Sequence, residues 1–154
     1  MQTRFLDGIT IRTLGNGETE TIRVLFERLG DESRRQRFGG AKPRLSDAEL
    51  TQLARVDATH HALVAYVDGD PLPAGVARLA RDGASAEIAF AVADEYQGRG
   101  IGRVLVDELT ALARAAGIRE LHAFVMSDNP PAVALLRGAE ARWHGPELEL
   151  VVGL

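Results

Sequence analysis

The run Gln97-Gly98-Arg99-Gly100-Ile101-Gly102 lies between a strand-like stretch at 86–92 and a helical stretch that begins at residue 101. Few segments restrict a chain as strongly. Alternating glycines cannot prolong a strand, so they turn the chain, and glycine permits positive φ and close backbone approach there. The residues that follow, Leu105, Leu109, Leu112 and Ala116, recur at helical spacing until Gly117 closes the pattern. A glycine turn that opens a helix leaves several backbone N–H groups unpaired at the positive end of the helix dipole. That arrangement suits a phosphate or pyrophosphate. Arg99 and Arg103 are placed to add charge-assisted contacts.

Other glycine motifs fit less well. No Gly-Lys-Ser/Thr follows, which rules out a Walker loop. Gly98, Gly100 and Gly102 are each one residue apart, whereas a dinucleotide fingerprint needs the third glycine one position later. A turn without any ligand remains the alternative for the bare glycine pattern.

The rest of the chain gives this loop a setting. Ile9–Thr13 alternates as a strand does, Gly15-Asn16-Gly17 turns, and Ile22, Leu25, Phe26 and Leu29 mark a helix with Gly30 at its C-terminal cap. Residues 31–44 read as a short helix and a loop. Ser46-Asp47-Ala48-Glu49 is a capping box ahead of Leu50, Leu53 and Val56. Strands are expected at His61–Val67, Pro73–Leu79 and Ala86–Val92, joined as an antiparallel meander because the turns are too short for a crossover. Leu121–Met126 is a further strand, Asn129-Pro130-Pro131 starts a short helix through Leu136, and Trp143 with Glu147–Val151 suggests a closing strand pair. The order β-α-α-β-β-β-α-β-α-β-β describes one mixed α/β (α+β) domain over residues 1–154.

Composition narrows the function. The 154 residues are 45% hydrophobic and 26% charged, as in ordinary globular domains. No cysteine is present, which excludes disulfides, thiolate zinc sites and a cysteine nucleophile, and suits a cytoplasmic location. Neither a signal-like apolar start nor a run of about 18 apolar residues occurs, so no membrane role is expected. Net charge is −4 and the 18 basic residues are dispersed except at Arg34-Arg35-Gln36-Arg37, which disfavours nucleic acid. Lys42 is the sole lysine, so no other residue could form a Schiff base. His60 and His61 lack further ligand spacing, and no metal is expected.

Gln97, Gly100 and Gly102 match the acyl-CoA motif Gln/Arg-x-x-Gly-x-Gly/Ala, and here the sequence resembles the GNAT superfamily of N-acetyltransferases. The resemblance runs from about residue 9 to the end and is most specific over 85–105. It implies a mixed, mostly antiparallel sheet of about six to seven strands flanked by helices, with acetyl-CoA entering where the strands at 86–92 and 121–126 splay apart. It places the backbone of Val92, Ala93 and Asp94 along the pantetheine, and Gln97, Gly98, Arg99, Gly100, Ile101, Gly102 and Arg103 around the pyrophosphate. Asn129, with Ala132 and Leu135, matches the family's second motif and joins the expected cofactor-binding set. Leu136 stands where the family often has a tyrosine acid, and Glu140-Ala141 replaces Gly-Phe. The runs Ser33–Ser46, His61–Ala65 and Ala86–Phe90 are similar to the acetyltransferase domain of Pat-type bacterial protein lysine acetyltransferases, in which the glutamate at the Glu87 position is taken as the base.

Glu87 shares a strand face with Ala89 and Ala91, small neighbours that leave room for a ligand. A carboxylate there can take a proton from an ammonium that must become a nucleophilic amine. His122 is a second candidate base without a family match. Asp94 and Glu95 are either solvated charges or discriminate amines, Arg34, Arg35 and Arg37 read as a solvated helix face, and Trp143 reads as core packing. The expected activity is acetyl or acyl transfer from acetyl-CoA to a primary amine, a protein lysine or a small molecule, in a ternary complex. The alternative is a non-catalytic acyl-CoA-binding regulatory module. A homodimer is an open alternative to a monomer.

Overall fold

A computed structural model describes residues 2–4, 8–38, 44–126, 136, 138–144 and 147–154. The strands are β1 (Gln2–Arg4), β2 (Ile9–Thr13), β3 (His60–Val67), β4 (Gly75–Asp82), β5 (Ser85–Val92), β6 (Glu120–Met126), β7 (Glu140–His144) and β8 (Glu147–Gly153). The helices are α1 (Thr19–Glu27), α2 (Asp31–Phe38), α3 (Asp47–Leu53) and α4 (Ile101–Ala115), with a 3-10 turn at Asp94–Tyr96. Among the described residues one sheet of order β1-β2-β3-β4-β5-β6-β8-β7 holds the eight strands, so the edge piece Gln2–Arg4 adds to the strands expected from sequence.

The meander is as expected, with β3, β4 and β5 antiparallel in turn. The second of these strands runs over Gly75–Asp82 rather than Pro73–Leu79. Proline has no N–H for a ladder, and pairing continues until the turn at Gly83. β5 and β6 pair in parallel, which needs a crossover, and α4 supplies it.

Alternation along β3 shows how the layers form. Leu63 and Ala65 pack with Ile88, Leu105, Leu109 and Leu121 beneath α4. Ala62 and Val64 face the other way, joining Leu14, Ile22, Leu25, Phe26 and Leu50 beneath α1 and α3. Both faces of the central strands are therefore buried, at about 1.5–3 kcal/mol for each large apolar side chain taken from water. The buried stripe of α4 is Ile101, Leu105, Val106, Leu109 and Ala113, while Ala116 is exposed at its end. Ser46 caps α3 through the reciprocal box with Glu49.

Two expectations are corrected. Gly30 does not cap α1 in a left-handed conformation. It begins α2, accepting from the Arg34 N–H and giving its own N–H to the Asp94 carboxylate at 3.0 Å. An added Cβ there would collide with that carboxylate. Trp143 is not core: it is 68% exposed, because β7 is the last strand of the sheet and all its residues are exposed.

Candidate functional site

The pairing of β5 with β6 ends early. Ser85 to Ile88 pair with Glu120 to Ala123, whereas on its other side β5 stays paired with β4 as far as Val92. Beyond Ile88 the two parallel strands part, and a gap opens that no described strand fills. Ala93 gives its N–H to the Ala74 carbonyl at 2.8 Å. Because backbone groups alternate along an antiparallel strand, the N–H groups of Phe90 and Val92 are directed away from β4, into the gap. Of the three residues expected along a pantetheine, Val92 is the one whose amide faces that way. The Asp94 N–H, like that of Ala93, is spent elsewhere, on the Arg28 carbonyl at 3.1 Å.

The glycine loop lies at the mouth of the gap. Gly98 (φ 79°) and Gly100 (φ 85°) are left-handed, a conformation other residues resist, and Gly100 caps α4 with no side chain to block its amides. The first helical bond runs from the Val104 N–H to the Gly100 carbonyl at 3.1 Å, so the amides of Ile101 and Gly102 precede the helical ladder. Gln97 is turned inward: its amide Nε2 donates to the Val92 carbonyl at 3.2 Å and to the Ser33 hydroxyl at 3.0 Å. Arg99 stacks over the Tyr96 ring at 5.3 Å. Arg103 is half-buried in the first turn of α4. Asn129 lies outside the described residues.

Sequence reading missed a brace that holds this loop. Arg28, 12% exposed, bonds Asp70 at 2.8 Å and the Pro73 carbonyl at 3.0 Å, pairs with Glu95 and covers the Tyr96 ring. The Tyr96 hydroxyl donates to Asp70 at 2.6 Å. That hydroxyl, the Leu72 amide and the Arg28 guanidinium together hold the Asp70 carboxyl down to about 2. Asp94 adds a second tie, accepting from Gly30 and from the Ser33 hydroxyl at 2.6 Å. The loop is thus fastened to the α1–α2 connection and to the β3–β4 turn. These partners are tens of residues apart in the chain, and no local motif announces them.

On the face opposite α4, Glu87 is exposed and alternates with Ala89 and Ala91 as expected. It stands beside Ala80 of β4 and His122 of β6. Arg78, diagonally across on β4, feels the Glu87 charge, although burial is the larger influence and lowers the Arg78 pKa. His122 is committed to its own strand and to β8, with Nε2 2.6 Å from Glu120 and Nδ1 3.7 Å from Glu149. Leu136 is buried in the α4-side core, so that position carries no acid. Among the described residues no cluster of three His, Cys, Asp or Glu could hold a metal ion, and no helix is long and apolar enough to cross a membrane.

The chain and its fold are matched in known proteins. The profile of the acetyltransferase (GNAT) family matches residues 26–139. Acetyltransferase PA5475 of Pseudomonas aeruginosa is 34% identical over 119 residues, covering 74% of this chain and 64% of that protein. Acetyltransferase Pat of Mycolicibacterium smegmatis is 34% identical over 109 residues, covering 68% of this chain and 33% of that protein. The chain therefore matches less than two thirds of the length of either relative. The GNAT domain of S. lividans PAT superimposes with a TM-score of 0.88 at 26% identity, over 100% of this chain and 96% of that one. The profile, the two relatives and the superposition agree: the chain belongs to the acetyltransferase (GNAT) family.

Proposed function

We propose that the chain moves an acetyl group from acetyl-CoA to a primary amine, with a protein lysine as the acceptor. The observation that carries this reading is the gap beyond Ile88, with the Val92 amide on its edge and the Gly98–Gly102 turn at its mouth. In this reading the turn's amides hold the pyrophosphate, and the strand edge holds the pantetheine. Glu87 takes a proton from the ammonium, directly or through water, so that a neutral amine can attack the thioester carbonyl. The N–C bond forms first, giving a tetrahedral oxyanion; its collapse breaks the C–S bond, and the departing thiolate of coenzyme A takes up, directly or through water, the proton that the nitrogen sheds. The Val92 N–H is placed to receive charge on the carbonyl oxygen, a service for which the Ala93 N–H is already spent. With no cysteine in the chain, transfer is direct within a ternary complex. The lysine acceptor draws support from the similarity to Pat; an amine of either kind is the coarser form of the reading, and a small-molecule amine is the alternative acceptor.

The buried Leu136 favours one rival, an acyl-CoA-binding module without catalysis. A thiol-release assay over a panel of amines and lysine-bearing proteins separates the two. The enzyme reading expects turnover with at least one acceptor and a loss of at least a hundredfold in Glu87→Gln, within the range of general-base contributions. Acetyl-CoA binding with no thiol release above background, and no effect of Glu87→Gln, would establish the rival.

A further inference from the structure

One free edge of the sheet is β7. Among the described residues no strand pairs with its outer side, and every residue of it is exposed. An edge strand presents a row of unpaired N–H and C=O groups, which folded proteins often blunt with lysine, proline or a bulge. β7 has neither lysine nor proline, and its pairing with β8 runs from Glu140 to His144 without a skipped residue. It also carries Trp143. At 68% exposed, against 46% for Leu72 and 41% for Phe124, this is the barest large apolar side chain among the described residues.

The segment 139–143 is complementary to itself. Set antiparallel to a second copy about a two-fold axis through Ala141, it puts Ala139 opposite Trp143, Glu140 opposite Arg142 and Ala141 opposite its own copy. Ala141 and Trp143 are in register with the core residues Leu150 and Leu148, and Ala139 packs against the same core, so all three share the α4 face. Each indole then crosses the seam onto small alanines, with directly opposite Cβ atoms about 4.5–5.5 Å apart. On the other face Glu140 and Arg142 meet their opposites, once on each side of the axis. Within one chain Arg142 is loosely held: its Nε is 3.5 Å from Glu140 and its Nη1 3.7 Å from Glu149, both beyond the usual N–H···O distance. An axis through Glu140 or Arg142 instead would set like charges against each other. We propose that β7 is a dimer seam, at which two copies pair antiparallel in the register centred on Ala141 and continue one sheet into the other. β8 and β6 stand between this seam and the β5–β6 gap, so both gaps stay open in the dimer. The inference uses neither the donor nor the acceptor reading above.

Sedimentation equilibrium of the full chain, from micromolar to millimolar concentration, tests it, with circular dichroism to check that each variant is folded. The parent should dimerise. Trp143→Ala removes an indole from both sides of the seam and should weaken the dimer by about a hundredfold or more. Glu140→Arg and Arg142→Glu should each be monomeric, because each sets like charges across the seam. Mixed in equal amounts, these two variants should form a heterodimer, since every charged pair of this register is then opposite in sign. A parent that stays monomeric throughout would overturn the proposal. So would a dimer that survives Trp143→Ala and both charge reversals in folded protein, which would place the interface elsewhere. Single variants that remain apart on mixing would overturn the register centred on Ala141.

Discussion

Gly100 and Gly117 offer a matched pair of perturbations. Gly100 has φ 85° at the start of α4 and Gly117 has φ 81° just past its end, and an added Cβ at either meets nothing within 4 Å. Substitution by alanine therefore introduces backbone strain and no collision. The left-handed conformation costs an L-residue about 1–2 kcal/mol, which in a chain of this length lowers Tm by about 2–8 °C. Both variants should show the same loss by scanning calorimetry. Their ligand behaviour should differ. Strain at Gly100 is relieved by rotating the amides that open α4, and one lost charge-assisted bond of about 1.5–3 kcal/mol weakens coenzyme A by about ten- to a hundredfold. Gly117→Ala, about 25 Å away along the helix, should bind coenzyme A as the parent does. Gly100→Asn should retain most of the affinity, since asparagine tolerates this conformation. Equal coenzyme A affinity in the two alanine variants, with equal destabilisation, would refute the role given to the loop.

Arg28→Met should cost about 2–3 kcal/mol in urea unfolding, because it strips a largely buried cation from Asp70 and Glu95. Arg28→Lys should recover only part of that loss, since lysine lacks the planar fork. Acid should also weaken the fold over a defined interval. Asp70 is held down to about 2, first by the Tyr96 hydroxyl, and Glu18 to about 2, first by Arg12. Both folded values lie below the ordinary carboxylate range near 4, so their contribution is complete above about pH 4 and drains as pH falls toward 2. Urea midpoints at pH 5, 3 and 2 should fall more steeply for the parent than for Asp70→Asn, and parallel slopes would count against the Asp70 cluster.

The parts of this fold that were legible in sequence are those set by neighbours along the chain. The alternation of Ala86–Val92 fixed the face that carries Glu87, the glycine spacing marked the turn into α4, and Ser46 with Glu49 marked the start of α3. What escaped depends on residues that meet only after folding. Gly30 follows an apolar helical run and reads as its cap, but Asp94, 64 residues away, makes it the beginning of α2. Arg28 looks like any surface charge until Asp70, Pro73, Glu95 and Tyr96 gather around it. Trp143 misleads for a similar reason, since a large apolar residue suggests burial while its place on the edge strand denies it cover. Gln97 matches a binding motif, and what that motif does not announce is that its side chain steadies the Val92 carbonyl and Ser33.

The sheet is in effect two panels, β1–β5 and β6–β8, hinged by the four residue pairs between Ser85–Ile88 and Glu120–Ala123. A donor lying along the Phe90–Val92 edge would act as a missing strand, lending its amides to a seam the polypeptide leaves open. Its arrival should therefore be felt across the seam as stiffness: the amides of Phe90 and Val92 should exchange readily with solvent deuterium before binding and slowly afterwards, with β6 slowing in step. The substrate would be, for the time of its residence, part of the architecture that recognises it.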